Sequence, residues 1–271
     1  MRQGRPPRRA AVRWFVEIGR RLDRKGFIAA NDGNLSLLDE DGTLLVTATG
    51  ARKGYLREDE VVRVDRSGTL LYGDKRPSSE LEMHLAVYEE RPDVRAVVHA
   101  HPPHATAFAV ARQPLTDCVL PEVVLTLGSI PIAPYATPGT GELGESIRAL
   151  VRSHDALLLA NHGAITVGAD LESAYFVMER LEHSATILFF AQLLGPVARL
   201  DADQVRRLMS TGPPEVRGSI PCVPGPASHP TGSPRPSAPS EGTVSSPSPP
   251  DLARVIAEVL RGRLGDPPDR S

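Results

Sequence analysis

The sequence predicts a single α/β domain, and three observations carry that prediction. An amphipathic helical stretch opens it, a β-rich middle with hairpin turns follows, and a long helical pattern closes it before a proline-rich tail. Between Ala10 and Lys25, Val12, Phe15, Val16, Ile18 and Leu22 recur near helical spacing with arginines between them, and Gly26 marks the stop. From Asn34 to Val64 the chain turns to short apolar and β-branched runs, 35–38, 43–47 and 61–64, with 69–72 after them. Asp41-Gly42 reads as a hairpin turn, and this half is mainly antiparallel.

Ser78 or Ser79 can cap a helix running from Glu80 to Glu90, with Leu81, Leu85 and Tyr88 as its buried stripe. A buried strand follows over 96–101, in which His99 and His101 face the same side because strand side chains repeat every two residues. Pro102-Pro103 ends it, and 104–110 resumes as helix. Strands are expected over 130–135, 156–160 and 164–168, and a long helix over 171–194. Trp14 and Tyr135 are read as core packing.

The expected organisation is a basic flexible N-terminus over 1–9 and a folded domain over 10–210. A Pro/Ser-rich linker over 211–250, a short amphipathic helix over 251–262 and a flexible tail over 263–271 complete it. The net charge of −2 comes from 31 basic and 33 acidic residues that are mostly interspersed, so no global field draws nucleic acid or membrane. No apolar run is long enough to span a bilayer. Cys118 and Cys222 lie about a hundred residues apart in contexts of different character, which does not read as a disulfide framework and fits a reducing cytoplasm.

The chemistry-bearing feature is the His99-Ala100-His101 pair. Zinc needs three or four nitrogen, sulfur or oxygen donors at about 2.0 to 2.3 Å, and two imidazoles on one strand face supply half of them without backbone strain. A third donor must come from elsewhere; His162 stands at the end of an apolar strand beside Gly163, where a small residue lets the backbone crowd a site. Glu80 is available as a fourth donor or as a base. By itself a His-x-His pair is equally compatible with packed histidines.

Several short motifs occur in one order: Gly33-Asn34-Leu35-Ser36, Thr47-Ala48-Thr49-Gly50, Lys75 to Glu80, His84, Val97 to Pro102, Pro134 to Thr140 and Asn161-His162-Gly163. In that combination, from about Ala10 to Leu194, the chain resembles the class II aldolase/adducin family, and within it the bacterial sugar-phosphate aldolases that act on fuculose phosphate. The resemblance implies a three-layer α/β/α fold around a mostly antiparallel sheet, assembled as a homotetramer in the cytoplasm. It implies zinc ligands at His99, His101 and His162, a catalytic and metal-ligating glutamate at Glu80, and phosphate-binding segments at Gly33-Asn34, Thr49-Gly50 and Ser78-Ser79. The implied reaction is zinc-dependent cleavage of a small ketose 1-phosphate to dihydroxyacetone phosphate and an aldehyde.

One position departs from that pattern. The fuculose-phosphate enzymes place a proton-donating tyrosine where this chain has Leu120, followed by Pro121-Glu122. Glu122 is the candidate replacement, because the similar methylthioribulose-phosphate dehydratases carry an acid/base glutamate in this region. A dehydratase-like lyase is therefore the first alternative. A pentulose-phosphate epimerase, whose branch has aspartate at the place of Glu80, comes next. The non-catalytic adducin branch lacks the histidines that stand here. His104, His154, His183 and His229 have no converging partner in the sequence and are read as non-ligands.

Overall fold

The computed structural model describes residues 6–211 and 222–226. Helix α1 (Arg9–Arg24) buries Val12, Phe15, Ile18 and Leu22 along one stripe, as its periodicity requires. Strands β1 (Asn34–Leu38), β2 (Leu44–Thr47), β3 (Val61–Val64) and β4 (Leu70–Tyr72) follow as an antiparallel meander, with the Asp41-Gly42 turn between the first two. Helix α2 (Leu81–Glu90) leads into β5 (Ala96–Ala100), all five residues of which are buried. After helices α3 (Pro103–Val110) and α4 (Pro121–Thr126) come β6 (Ile132–Ala133), α5 (Gly141–Val151), β7 (Ala156–Leu159) and β8 (Gly163–Gly168). The long α6 (Leu171–Leu194) and α7 (Ala202–Thr211) complete the described elements.

The strands form one eight-stranded sheet in the order β4-β3-β2-β1-β5-β8-β7-β6, antiparallel except for the parallel β6–β7 pair. β5 lies at its centre between β1 and β8. Two apolar clusters sandwich the sheet. One joins α1, α3 and α6 to Leu35, Leu45, Val98 and Ala100; the other joins α2 and α5 to Val46, Val62, Val97 and Ile165. Because side chains alternate across a strand, Val97 and His99 share the α2–α5 face while Val98 and Ala100 face α1, α3 and α6. The three-layer α/β/α architecture is therefore present.

Several expectations change. The strand expected over 130–135 shrinks to Ile132–Ala133, since Pro131 and Pro134 have no N–H to continue the ladder. Trp14 and Tyr135 are 41% and 59% exposed rather than packed in the core: Phe15 takes the inward position on α1, and Tyr135 follows the end of β6. At the N-terminus, Arg8 is held by Asp39 at 2.9 Å and Glu40 at 2.7 Å.

The reading of the cysteines is overturned, because Cys118 and Cys222 form a disulfide. Sequence separation does not measure distance in the fold. The chain beyond α7 returns to the loop before α4, where Cys118 N–H donates to Val223 O at 3.1 Å and Val223 N–H to Thr116 O at 2.6 Å. The bridge is buried with Val124, Leu200, Val205 and Leu208 around it. Residues 222–226 are thus tied to the folded unit although they fall in the expected linker. The rest of that linker beyond Thr211, the helix expected over 251–262, the tail over 263–271 and His229 lie outside the described residues. Among the described residues no helix is long and apolar enough to cross a membrane.

Candidate metal centre

Three elements of the sheet converge on one point. β5 delivers His99, the residue after its end delivers His101, and the turn from β7 into β8 delivers His162. A nitrogen from each ring lies within 4.8 Å of the other two. Close approach of backbones makes this possible. A Cβ on Gly163 would fall 2.6 Å from both Ala100 O and the His101 ring, and one on Gly33, whose φ is +71°, would fall 2.6 Å from His99 O.

The fourth group is Glu80, which precedes α2. Its Oε2 lies 3.3 Å from His99 Nε2 and its Oε1 lies 3.1 Å from His162 Nε2, while His101 Nε2 is 3.1 Å from His99 Nε2. Donors about 2.1 Å from a tetrahedral cation stand about 3.4 Å apart, so these spacings fit a small divalent ion. The protonation pattern agrees. His99 Nδ1–H donates to Ala164 O at 2.8 Å, which leaves its Nε2 lone pair toward the centre. His101 turns Nδ1 toward Asp32, 3.5 Å away. His162 Nδ1 is buried with no hydrogen-bond partner among the described residues, so nothing there fixes its ring from behind.

Electrostatics favour an anionic carboxylate at Glu80 and a neutral ring at His101. Burial pushes the Glu80 carboxyl up, but hydrogen bonds and charge from His162 and His99 outweigh it and hold the group well below the usual carboxylate range. Burial, reinforced by His99 and His162, pulls His101 down to about 4, leaving the neutral ring that a metal requires.

The expected phosphate segments gather nearby. An isolated bridge between Ala48 and Pro77 sets Thr49-Gly50 beside Ser78-Ser79, with Thr49 N–H donating to Arg76 O at 2.9 Å and Ser78 N–H to Thr47 O at 3.0 Å. Asn34 is drawn instead onto Glu80, its Nδ2 donating to Oε2 at 2.6 Å. A buried lysine that sequence reasoning passed over, Lys53, ties two of these loops together by donating to the carbonyls of Asn31 and Ala51. Its burial lowers the ammonium to about 8 against the opposing charges of Asp32, Glu80 and Glu60.

Glu122 is not brought to the histidines. It is exposed in the first turn of α4 and lines a cleft of about 960 Å³ with His104, Leu120, Glu182 and His183; none of His99, His101 and His162 lines that cleft. His104 bonds to Glu182 at 2.8 Å and His154 to Leu150 O at 2.9 Å, in keeping with their reading as non-ligands.

Residues 13–189 match the family described as Class II Aldolase and Adducin N-terminal domain. The chain belongs to the class II aldolase and adducin family. Within the family it is similar to a 3-oxo-tetronate 4-phosphate decarboxylase of Pectobacterium atrosepticum, 37% identical over 200 residues that cover 72% of this chain and 90% of that protein. It is also similar to an L-fuculose phosphate aldolase of Methanococcus vannielii, 36% identical over 173 residues, 64% of this chain and 92% of the other. A solved L-fuculose 1-phosphate aldolase superposes with a TM-score of 0.71 at 28% identity, covering 76% of this chain and 97% of that one. This member is one of the family's metal-dependent lyases, and its histidine cluster is a place where a metal can sit.

Proposed function

We propose that this protein is a zinc-dependent carbon–carbon lyase that decarboxylates a phosphorylated four-carbon 3-oxo acid to dihydroxyacetone phosphate and carbon dioxide. The observation that carries the choice is the proton inventory: Glu80 is the carboxylate held against the histidines, and Leu120 stands where an aldolase of this family would have a tyrosine. Aldol cleavage needs a group to take the proton of the hydroxyl that becomes the aldehyde, and another to protonate the carbon left behind. Loss of carbon dioxide from a 3-oxo acid needs only the second.

His99, His101 and His162, with Glu80 beside them, would hold the ion; three imidazoles and a carboxylate suit zinc. When bound, it supplies the Lewis acidity that neutralises charge on the substrate's carbonyl oxygen as the bond breaks. The loops at Gly33-Asn34, Thr49-Gly50 and Ser78-Ser79 bind the phosphate through short side chains and the backbone N–H groups other than those of Thr49 and Ser78, which bond within the loops, and Lys53 holds the first two loops in register. Glu80 carries a proton from solvent to the carbon that carbon dioxide leaves, and that is the one proton the reaction consumes overall. The similarity to the decarboxylases supports this reading.

The second reading is aldol cleavage of a ketose 1-phosphate, which the similarity to fuculose-phosphate aldolases favours and which still needs a proton group in place of the tyrosine, since Glu122 lines a cleft that none of the three histidines lines. The exposed Phe176, Phe189, Phe190 and Leu193 of α6 support assembly with further copies of the chain, as a homotetramer. The test offers metal-loaded protein 3-oxo-tetronate 4-phosphate and, separately, fuculose 1-phosphate. Equal yields of carbon dioxide and dihydroxyacetone phosphate from the acid, abolished by a chelator and by Glu80→Gln, are expected. Dihydroxyacetone phosphate from the ketose alone would establish the second reading, and turnover of neither would contradict both.

A further inference from the structure

Behind Glu80 runs a line of buried polar side chains that the proposed chemistry does not use. Tyr88 OH lies 2.7 Å from Ser36 Oγ, Ser36 Oγ lies 2.6 Å from His84 Nδ1, His84 Nε2 lies 2.5 Å from Asn34 Oδ1, and Asn34 Nδ2 lies 2.6 Å from Glu80 Oε2. Ser36, His84, Asn34 and Tyr88 are all at most 4% exposed. Two elements build the line. Asn34 and Ser36 share one face of β1, and Glu80, His84 and Tyr88 follow at four-residue intervals into and along α2.

The direction of every bond follows from its end. An ionised carboxylate only accepts, so Asn34 must turn its NH2 toward Glu80 and its Oδ1 toward His84. His84 must then donate from Nε2, which leaves Nδ1 to accept from the Ser36 hydroxyl, and Ser36 in turn accepts from Tyr88. Burial drives His84 down to about 3, so the ring stays neutral and keeps a single N–H. An Asn34 amide turned the other way would set its oxygen against the Glu80 carboxylate, acceptor against acceptor, and its NH2 against His84 Nε2–H, donor against donor.

We propose that His84 is a positioning residue for Glu80: its Nε2–H locks the Asn34 amide, which holds Glu80 Oε2 as an acceptor and so fixes the orientation of the carboxylate beside the histidines. This rests on the reading of Glu80 as the group that moves protons. A line of buried polar groups with every member satisfied and one direction throughout serves a purpose that apolar packing at 84 and 88 could not.

Two measurements test it. In metal-loaded wild-type protein labelled with 15N-histidine, NMR is expected to place the His84 proton on Nε2 with Nδ1 bare. A proton on Nδ1, or a doubly protonated ring, would overturn the proposal whatever the substrate proves to be and whether or not any variant folds. In turnover, His84→Phe with full metal content is expected to lose about 10- to 100-fold in kcat with a smaller change in KM. His84→Gln, which keeps an N–H donor, should regain most of the loss. An unchanged kcat in His84→Phe, or a His84→Gln as slow as His84→Phe, would also overturn it.

Discussion

Gly163 shows how closely single atoms govern the site. A methyl group there meets Ala100 O and the His101 ring at 2.6 Å, and the backbone oxygen belongs to the buried central strand and cannot retreat. Gly163→Ala is therefore expected to move the His101 ring and weaken zinc binding by about 10- to 100-fold, measured by competition with a chromophoric chelator. Affinity equal to wild type would mean that His101 is not held where the structure puts it. Much at this scale was legible: a two-residue repeat put His99 and His101 on one face, and motif order singled out His162 and Glu80. The Ala164 carbonyl that fixes His99 has no sequence signature, because any residue carries one. The line from Tyr88 to Glu80 did leave a trace in the spacing of residues 80, 84 and 88 against 34 and 36. Reading Tyr88 as part of an apolar stripe concealed it.

The hairpin of β1 and β2 depends on an ion pair of the kind that tolerates little change. Arg63 on β3 is 2% exposed, yet its guanidinium bonds Asp39 at 2.9 Å and Asp41 at 3.0 Å and also reaches the Thr43 hydroxyl. Removing the cation leaves the buried Asp39 with the half-exposed Arg8 in place of a buried partner, so Arg63→Ala is expected to cost about 3 kcal/mol in urea unfolding, the low end for a broken buried pair. A loss below about 1 kcal/mol would mean that water replaces the guanidinium without penalty. Most elements emerged from periodicity and turn residues, but α5 did not. Its Leu143, Ile147 and Val151 repeat at helical spacing, while Gly141 and Gly144 read as breakers. The fold explains Gly144: a Cβ there would lie 2.9 Å from Glu82 O, so the glycine lets α5 pack closely on α2. Helix α7 is mostly polar, and the cluster around the disulfide, which recruits Val205 and Leu208, is invisible until the two cysteines are known to meet.

At the scale of the whole molecule, the central strand sets the chemistry. β5 lies between β1 and β8, so its neighbours bring Asn34 on one side and the His162 turn on the other, while α2 presents Glu80 and His84 over the same face. Fold class and the meeting of His99 with His101 could be anticipated because they depend on pattern and order. The disulfide could not, since it depends on how a distant segment returns, whereas Trp14 and Tyr135 lie at the surface for local reasons, Phe15 taking the inward position on α1 and β6 ending before Tyr135. The most direct test of the metal centre is zinc K-edge X-ray absorption on protein loaded with zinc, compared with His162→Ala. Stoichiometric zinc with three imidazole donors and an oxygen donor, losing one imidazole in the variant, is the predicted result. Sub-stoichiometric zinc, or a spectrum that the variant leaves unchanged, would contradict it.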